Sequence, residues 1–363
     1  MTLPELRDSI DHVDARIVRL LHERAELVRQ VGQIKEAENS PIFVPERESS
    51  LYAKLKRLNE GQLPEERLRA VYREIISCGY ALEGGFKVAY LGPEGTWSHQ
   101  AAIRQFGSSV ELIPCACFKD VFDAVERGNA AYGVVPMENS THGAVTQVMD
   151  LFVSSPLKIC SQMHLPIRNC LLGNIEKSGV KTIYSHPQII GQCRRWIDTH
   201  FPGAAIVETS SSTAAARMAA ERAGVGAAAI GGKLAGELAG LDILESNIQD
   251  KPHNVTRFVV IGNQKTVPTG ADRTSLCFTV RHEAGSLVQV LEQFRQAGIS
   301  LQRIESRPSK MVDWEYVFYV DAEGHADAEP LKTCLQNASL FCSLLKVFGS
   351  YPEAISPTTV PVP

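Results

Sequence analysis

The most regular pattern of hydrophobic positions lies near the start of the chain. Apolar side chains recur there in alternating steps of four and three residues, at Leu6, Ile10, Val13, Ile17, Leu20, Leu27, Val31 and Ile34, and Arg24 occupies the one polar position of the series. This heptad pattern predicts a single long helix, about 45 Å at roughly 1.5 Å per residue. Because a lone helix cannot bury its own apolar stripe, the pattern also predicts an intertwined dimer.

Two further helices follow the first, which Pro41 and Pro45 end. The second begins near Glu46 and the third at Pro64, and each carries an acidic residue on its apolar side, Glu48 and Glu83. The three helices therefore direct charges inward, with further cations beside the same faces at Arg7, Lys35 and Arg47. Buried charges are costly unless they are paired. The pattern is consistent with an internal ion-pair network or with a pocket for a small dianion.

Beyond Gly84-Gly85, short buried strands alternate with helices as far as about residue 264. The strands lead into loops rich in glycine and hydroxyl side chains, which predicts a two-lobed α/β architecture. The stretch His253–Phe258 feeds the buried strand Val259–Gly262. It places the Thr256 hydroxyl and the Arg257 guanidinium where a loop meets a sheet, a common location for small-molecule chemistry.

The last part of the chain has a different order of elements. From Thr274 the pattern is strand, helix, strand, strand, helix, strand, with helices at about 286–296 and 328–338. This order predicts a ferredoxin-like α+β fold. Trp314 precedes the third strand, where it is either a core residue or a reporter of ligand binding.

Composition narrows the functional classes. The chain has 363 residues, which suggests two or three domains, and its net charge of −4 gives no reason to expect nucleic acid or a membrane surface as a partner. There is no secretory signal and no apolar run of membrane-spanning length. Nine scattered cysteines favour a reducing cytoplasm, and neither a zinc motif nor a phosphate-binding glycine loop is present. We therefore expect no metal and no organic cofactor.

The helical segment, residues 1–84, resembles the all-helical chorismate mutase of bacterial aromatic biosynthesis. The similar stretches are Glu23–Leu27, Val31–Lys35 and Pro45–Glu48. The resemblance implies that carboxylates are bound by Arg24, Arg47 and, from the partner subunit, Arg7. It implies that Lys35 donates to the ether oxygen of the substrate and that Glu48 accepts from its hydroxyl.

Two positions depart from one branch of this mutase family. Val44 replaces an acidic residue, and Glu83 replaces a glutamine. A glutamate donates a hydrogen bond only when it is protonated, and its unperturbed pKa is about 4.3. We therefore expect mutase activity to decline as the pH rises, and Glu83→Gln to relieve that decline.

Residues 86–264 look like prephenate dehydratase, in the stretches Met137–Ser140, Ser185–Gln188 and Thr256–Phe258 and in Gln192-Cys193. That family's fold is similar to two-lobed periplasmic binding proteins. The resemblance implies that Thr256 donates to the departing hydroxyl while Asn139, Ser185 and Gln192 line the pocket. Further candidates for substrate binding are Glu138, Ser140, His186, Arg257 and Phe258. Arg257 either binds a carboxylate or braces its loop, and His186 is more often structural than a general acid in this context.

Residues 272–352 look like the amino-acid-sensing ACT domain that follows prephenate dehydratases. The resemblance lies in Gly285-Ser286-Leu287-Val288 and in Glu305-Ser306-Arg307-Pro308. It implies that phenylalanine binds between paired domains and inhibits the enzyme. The alternative is a domain used only for dimerisation.

Together the resemblances imply a cytoplasmic bifunctional chorismate mutase–prephenate dehydratase that is a homodimer or a higher homo-oligomer. Its substrates are then chorismate and prephenate, and its effector is phenylalanine. Two rivals remain: a ligand sensor without catalysis, and a dehydratase whose helical segment is only a dimer arm. A sensor would usually need an output module, and the four charges Arg24, Lys35, Arg47 and Glu48 speak against a degraded mutase.

Overall fold

The computed structural model describes residues 1–61, 63–308 and 316–354, so Trp314 lies outside the described residues. The chain begins with three helices, α1 (Leu3–Glu38), α2 (Pro45–Leu58) and α3 (Glu65–Leu82). A capping box between Thr2 and Glu5 starts α1, and Asn39 ends it in the left-handed conformation. No helix in the described part of the chain is long and apolar enough to cross a membrane.

The long helix α1 packs against α3, but its heptad stripe remains uncovered in the single chain. Ile10, Leu20 and Ile34 are 57%, 61% and 58% exposed. The contact with α3 depends on Gly32, where a Cβ atom would lie 2.9 Å from the Cα atom of Glu83. Because glycine lacks that atom, the backbones of the two helices can approach closely at this point.

A first lobe follows the helices and contains a six-stranded sheet with the strand order β2-β1-β3-β11-β5. Strand β4 pairs with β3, and β11 is antiparallel to both of its neighbours, β3 and β5. The elements of this lobe are β1 (Lys87–Leu91), α4 (Trp97–Phe106), β2 (Glu111–Cys115), α5 (Phe118–Glu126), β3 (Tyr132–Asn139), β4 (Gly143–Ala144), α6 (Thr146–Ser154), β5 (Lys158–Pro166) and the later strand β11 (Val255–Gly262).

A second lobe contains a five-stranded sheet with the order β10-β6-β9-β7-β8. Its elements are β6 (Cys170–Leu172), a short 3-10 turn (Lys177–Gly179), β7 (Thr182–Ser185), α7 (Pro187–Gln192), α8 (Arg194–His200), β8 (Ala205–Glu208), α9 (Ser212–Glu221), β9 (Ala227–Gly231), α10 (Lys233–Ala239) and β10 (Ile243–Ser246). The chain crosses between the lobes twice, and the crossings are hydrogen-bonded: Ile167 N donates to Asn254 O at 2.8 Å, and Ile248 N to Asn169 O at 3.0 Å.

The C-terminal part forms a four-stranded antiparallel sheet with the order β13-β14-β12-β15. Its elements are β12 (Asp272–Thr279), α11 (Ser286–Gln296), β13 (Leu301–Pro308), β14 (Tyr316–Glu323), α12 (Leu331–Ser339) and β15 (Leu344–Pro352). Two of these elements do not begin where the sequence predicted. Strand β12 begins before Thr274, at Asp272, and helix α12 begins at Leu331 and not at about residue 328.

The first-lobe sheet lies between the other parts of the molecule. On one face, Val259 and Ile261 share a core with Tyr319 and Phe348 of the C-terminal sheet. On the other face, Phe258 belongs to a core that includes Phe43 of the segment between α1 and α2. Strand β11, which carries Thr256, is therefore held between the C-terminal sheet and the helical segment.

Candidate active sites

Lys35 and Glu83 form an ion pair near the C-terminal end of α1. Lys35 Nζ donates to Glu83 Oε2 at 2.7 Å and to the Ile42 carbonyl at 2.8 Å. Arg24 Nη1 lies 3.5 Å from the Ile75 carbonyl on α3. The free chain thus contains an internal ion pair, which is one of the two arrangements that the sequence allowed.

Glu48 lies on α2 with its carboxyl against α3. The Tyr80 hydroxyl donates to Glu48 Oε2 at 3.4 Å. Burial raises the pKa of the Glu48 carboxyl to about 7, against the lowering effects of the Tyr80 hydrogen bond and the nearby Arg69. Sequence reasoning missed Tyr80, although it lies one helical turn after Ile76, which is also buried on α3.

Arg7 and Arg47 are exposed, in contrast to the residues just described. Arg7 and Lys35 are on the same helix and lie roughly 40 Å apart along its axis, at about 1.5 Å per residue. Arg7 therefore cannot reach the Lys35 region of its own chain. This geometry agrees with a role for Arg7 in a second copy of the chain.

Asn139 and Thr256 are cross-strand partners on β3 and β11. Asn139 Nδ2 donates to Thr256 Oγ1 at 2.9 Å and to Asn254 Oδ1 at 2.8 Å, and its Oδ1 accepts from the backbone N–H groups of Thr141 and His142. These contacts fix which end of the amide faces Thr256. Because the threonine oxygen accepts from Asn139, its own proton is free to be donated to a ligand.

Strand β3 contains a bulge next to the pair of Asn139 and Thr256. The register moves from Arg257 opposite Glu138 to Phe258 opposite Pro136, so Met137 is an extra residue in β3. Such bulges bend a strand and redirect its side chains, and they are common beside active sites. Ser140 secures the adjoining loop, because its Oγ donates to the His253 carbonyl and accepts from Val255 N, both at 3.0 Å.

Gln192, at the end of α7, connects the two lobes. Its Oε1 accepts from Asn169 Nδ2 at 3.1 Å, and its Nε2 lies 3.5 Å from His142 Nδ1. Asn169 is fully buried between β5 and β6, and sequence reasoning missed both it and Asn254. Asn254 could have been found from its place two residues before Thr256, whereas nothing local marks Asn169.

Ser185 at the end of β7, and His186 directly after it, are engaged in local structure. Ser185 is buried and its Oγ donates to the Ile230 carbonyl at 2.8 Å. His186 is the N-cap of α7, where its Nδ1 accepts from Gln188 N at 3.2 Å. The contact of His186 favours the structural role over that of a general acid.

Three candidates for substrate binding, Arg257, Phe258 and Glu138, contact other parts of the protein. Neighbouring residues of a strand point to opposite faces of the sheet, so Arg257 points away from the face that carries Thr256. Its Nη2 donates to Asp321 Oδ2 of β14 at 2.6 Å. Of its two proposed roles, bracing agrees with this contact and carboxylate binding does not. Phe258 is 2% exposed and is a core residue, so its assignment to the substrate is corrected. Glu138 Oε2 lies 3.7 Å from Arg257 and 3.8 Å from Arg303.

The effector candidates separate into two places. A cavity of about 360 Å³ is lined by Gly285, Leu287 and Val288 at the start of α11 and by Tyr316 and Phe318 of β14. Gly285 caps α11 with φ 91°, a left-handed conformation that favours glycine, and Ser286 beside it is buried.

The second set, on β13, lies away from that cavity. Arg307 Nη1 donates to the Thr146 carbonyl at 3.0 Å and to Asp150 Oδ1 at 3.1 Å, so it contacts the first lobe. Glu305 accepts from Arg303 at 2.5 Å, whereas Ser306 and Pro308 are exposed.

Comparison with known proteins assigns the two sites to families. A chorismate mutase type II model matches residues 6–84, and a prephenate dehydratase model matches residues 88–266. A bifunctional chorismate mutase/prephenate dehydratase of Aquifex aeolicus is 44% identical over 358 residues, which are 97% of this chain and 98% of that protein. The chain belongs to the family of bifunctional chorismate mutase/prephenate dehydratases.

Two solved structures are similar to about three quarters of this chain. A prephenate dehydratase from Arthrobacter aurescens in complex with L-Phe has a TM-score of 0.68 and 33% identity, over 74% of this chain and 90% of that one. GqqA, described as a quorum quenching acylase, has the same TM-score with 29% identity, over 74% of this chain and 98% of that one. Because proteins with this fold have different functions, the fold alone does not identify the reaction.

The residues of the two candidate sites lie in separate segments of this chain, each matched by a different family model. Lys35, Glu48 and Glu83 lie inside the mutase match, and Asn139 and Thr256 lie inside the dehydratase match. The dehydratase match ends at residue 266, so the C-terminal sheet from β12 onward lies beyond it.

Proposed function

We propose that the chain converts chorismate to prephenate and prephenate to phenylpyruvate in phenylalanine biosynthesis, with inhibition by phenylalanine. The observation that carries this proposal is the full-length relationship to bifunctional enzymes, at 44% identity over nearly the whole of both chains. The rival function of a sensor has no comparable support. GqqA remains a specific alternative for the dehydratase part alone.

For the first reaction, the protein must hold a reactive conformer of chorismate and stabilise charge on the breaking ether oxygen. We assign that hydrogen bond to Lys35, which Glu83 and the Ile42 carbonyl hold in place. Glu83 is paired with Lys35 in the free chain, so it adds a second donor only after it takes up a proton, and Glu48 accepts from the substrate hydroxyl. We assign the carboxylates to Arg24, Arg47 and Arg7 of a second copy of the chain.

For the second reaction, prephenate loses carbon dioxide and hydroxide as its ring becomes aromatic. The C–C bond to the ring carboxylate breaks, its electron pair enters the ring, and the C–O bond to the hydroxyl breaks. We assign Thr256 as the hydrogen-bond donor to that hydroxyl, because Asn139 Nδ2 already occupies its acceptor side at 2.9 Å. Gln192 is assigned to the opposite wall of the cleft, and Ser185, whose hydroxyl donates to the Ile230 carbonyl, is assigned to the support of that wall.

We propose three functional units: the mutase in residues 1–84, the dehydratase in 86–264 and a ferredoxin-like ACT domain in 272–352. The strand order of the C-terminal sheet and the cavity beside Gly285 support the last assignment. The related Arthrobacter aurescens protein was solved with L-Phe. We propose phenylalanine for this cavity, with Gly285–Val288 as its contacts and Glu305–Pro308 as the connection to the dehydratase.

We also propose a dimer in the reducing cytoplasm. The exposed stripe of α1 requires a cover, and a second copy of the same helix would provide one together with Arg7. All nine cysteines are free thiols, which agrees with a reducing compartment.

The test supplies purified protein with chorismate or with prephenate, with and without phenylalanine, and follows both products. We expect prephenate to form from chorismate, phenylpyruvate to form from either substrate, and phenylalanine to reduce phenylpyruvate formation. Protein that leaves both substrates unchanged but binds phenylalanine would support a sensor. Hydrolysis of an acylated quorum-sensing signal without turnover of prephenate would support an acylase.

A further inference from the structure

Two neighbouring residues of β11 contact different parts of the molecule. Thr256 pairs with Asn139, whereas the guanidinium of Arg257 reaches Asp321 on β14 of the C-terminal sheet. The N–O distance of this ion pair is 2.6 Å, and Arg257 and Asp321 are 4% and 3% exposed. Loss of one partner of so buried a pair leaves an uncompensated charge, so the pair strongly favours a single geometry.

Asp321 is itself held within the C-terminal sheet. Ser275 Oγ donates to Asp321 Oδ1, and the Tyr351 hydroxyl lies 2.5 Å from Ser275 Oγ and accepts from Arg257 Nη1 at 3.4 Å. Burial opposes the charge of Arg257, but Tyr351, Asp321 and Glu138 outweigh it and raise the pKa of the guanidinium. The C-terminal sheet thus provides the closest charge partner, Asp321, of a buried cation of the dehydratase.

Glu138 connects a second point of the dehydratase to the same sheet. Its Oε2 lies 3.7 Å from Arg257 Nη2 and 3.8 Å from Arg303 Nε on β13, and Arg303 also donates to Glu305 at 2.5 Å. Glu138 directly precedes Asn139 in the chain. The C-terminal sheet therefore contacts the chain neighbours of both hydrogen-bonded residues, Arg257 beside Thr256 and Glu138 beside Asn139.

We propose that Asp321 is a positioning residue for dehydration, which acts through Arg257 on Thr256 and forms part of the route by which the C-terminal sheet controls the dehydratase. The inference rests on the proposed function and extends it to a mechanism of regulation. A displacement of β14 moves Arg257, and the adjoining backbone then changes the 2.9 Å contact between Asn139 and Thr256. Small errors in the position of a catalytic group reduce rates by large factors.

The experiment compares Asp321→Asn with wild type in the full chain. Asparagine keeps the shape of the side chain and removes the charge that binds Arg257. We expect kcat for prephenate to fall at least about tenfold with a smaller change in KM, because Asp321 does not act by binding substrate. Inhibition by phenylalanine should weaken in the same variant. Mutase activity, measured on the same sample, should stay at the wild-type level and so reports the amount of folded protein.

Asp272→Asn is the matched control. Asp272 is also a buried carboxylate of this sheet, 6% exposed, but its side chain binds the turn at Thr269 and Gly270. We expect Asp272→Asn to keep the wild-type kcat and inhibition. Ser275→Ala is a milder second variant, which removes one hydrogen-bond donor to Asp321. It should also lower kcat, by a smaller factor than Asp321→Asn does. It decides the question if Asp321→Asn does not fold.

The inference is overturned if folded Asp321→Asn, or Ser275→Ala in its place, keeps wild-type kcat and inhibition. It is also overturned if Asp272→Asn loses as much dehydratase activity as Asp321→Asn, because the effect would then be general to the sheet. A wild-type protein that does not turn over prephenate overturns the proposed function itself, which distinguishes the two failures.

Discussion

The Glu48 carboxyl should give the helical segment a stability that depends on pH. Burial raises its pKa from 4.5 to about 7. When folding raises the pKa of a carboxyl, the folded protein is favoured most at pH values below the pKa of the unfolded chain, here near 4.5. This contribution to stability is lost as the pH rises through the pKa of the folded protein, about 7. At about 1.4 kcal/mol per pH unit, the full effect of this shift is about 3.5 kcal/mol. Because Glu48 is only partly buried, screening by solvent reduces this to about 2–3 kcal/mol.

Glu48→Gln tests this value, because glutamine is neutral at every pH and resembles the protonated acid. The variant and wild type should differ by less than about 1 kcal/mol near pH 5, and the variant should be more stable by about 2–3 kcal/mol near pH 8. Urea unfolding followed by far-UV circular dichroism measures the difference. Glu60→Gln, at an exposed position beyond α2, is the matched control and should show no such dependence.

A difference between Glu48→Gln and wild type that is the same near pH 5 and near pH 8 would refute the reasoning. So would a variant that is less stable than wild type near pH 8. Either result would mean that the carboxyl is solvated in the folded protein, or that another molecule, such as a second copy of the chain, provides it with a cation.

Two further predictions concern the mutase. In Gly32→Ala the new Cβ would lie 2.9 Å from the Cα atom of Glu83, so α1 and α3 must separate. Mutase activity should therefore fall at least about tenfold, while dehydratase activity is retained. Gly203→Ala, whose Cβ would have open space around it, is the control and should leave both activities unchanged. Glu83→Gln should remove the decline in mutase kcat/KM with rising pH, since an amide donates at any pH; a wild-type rate that is flat from mildly acidic to alkaline pH would exclude a protonated Glu83.

Local patterns in the sequence predicted the elements that carry the sites. The heptad stripe from Leu6 to Ile34 corresponds to α1, and the run that ends at Gly262 corresponds to β11. In each case the signal is periodic and short-range, so it can be seen without knowledge of the fold. The stretch around Thr256 was therefore found, and its partner Asn139 was identified by resemblance.

Contacts between distant parts of the chain could not be predicted in this way. Asp321, which binds Arg257, lies on another sheet, and Asn169, which binds Gln192, lies in a crossing between lobes. Alternation along β11 would have placed Arg257 on the face opposite Thr256, but only the pairing of the sheets reveals what that face contacts. For the same reason Phe258 was assigned to substrate although it lies in the core.

The most direct test of the central claim supplies chorismate to wild type and to Thr256→Ala, and follows prephenate and phenylpyruvate over time. Thr199→Ala, an exposed threonine on α8, is the matched control. We expect wild type and Thr199→Ala to form phenylpyruvate. We expect Thr256→Ala to form prephenate from chorismate at the wild-type rate and then to accumulate it. Formation of phenylpyruvate by Thr256→Ala at the rate of wild type would contradict the assignment of the dehydratase site to Thr256.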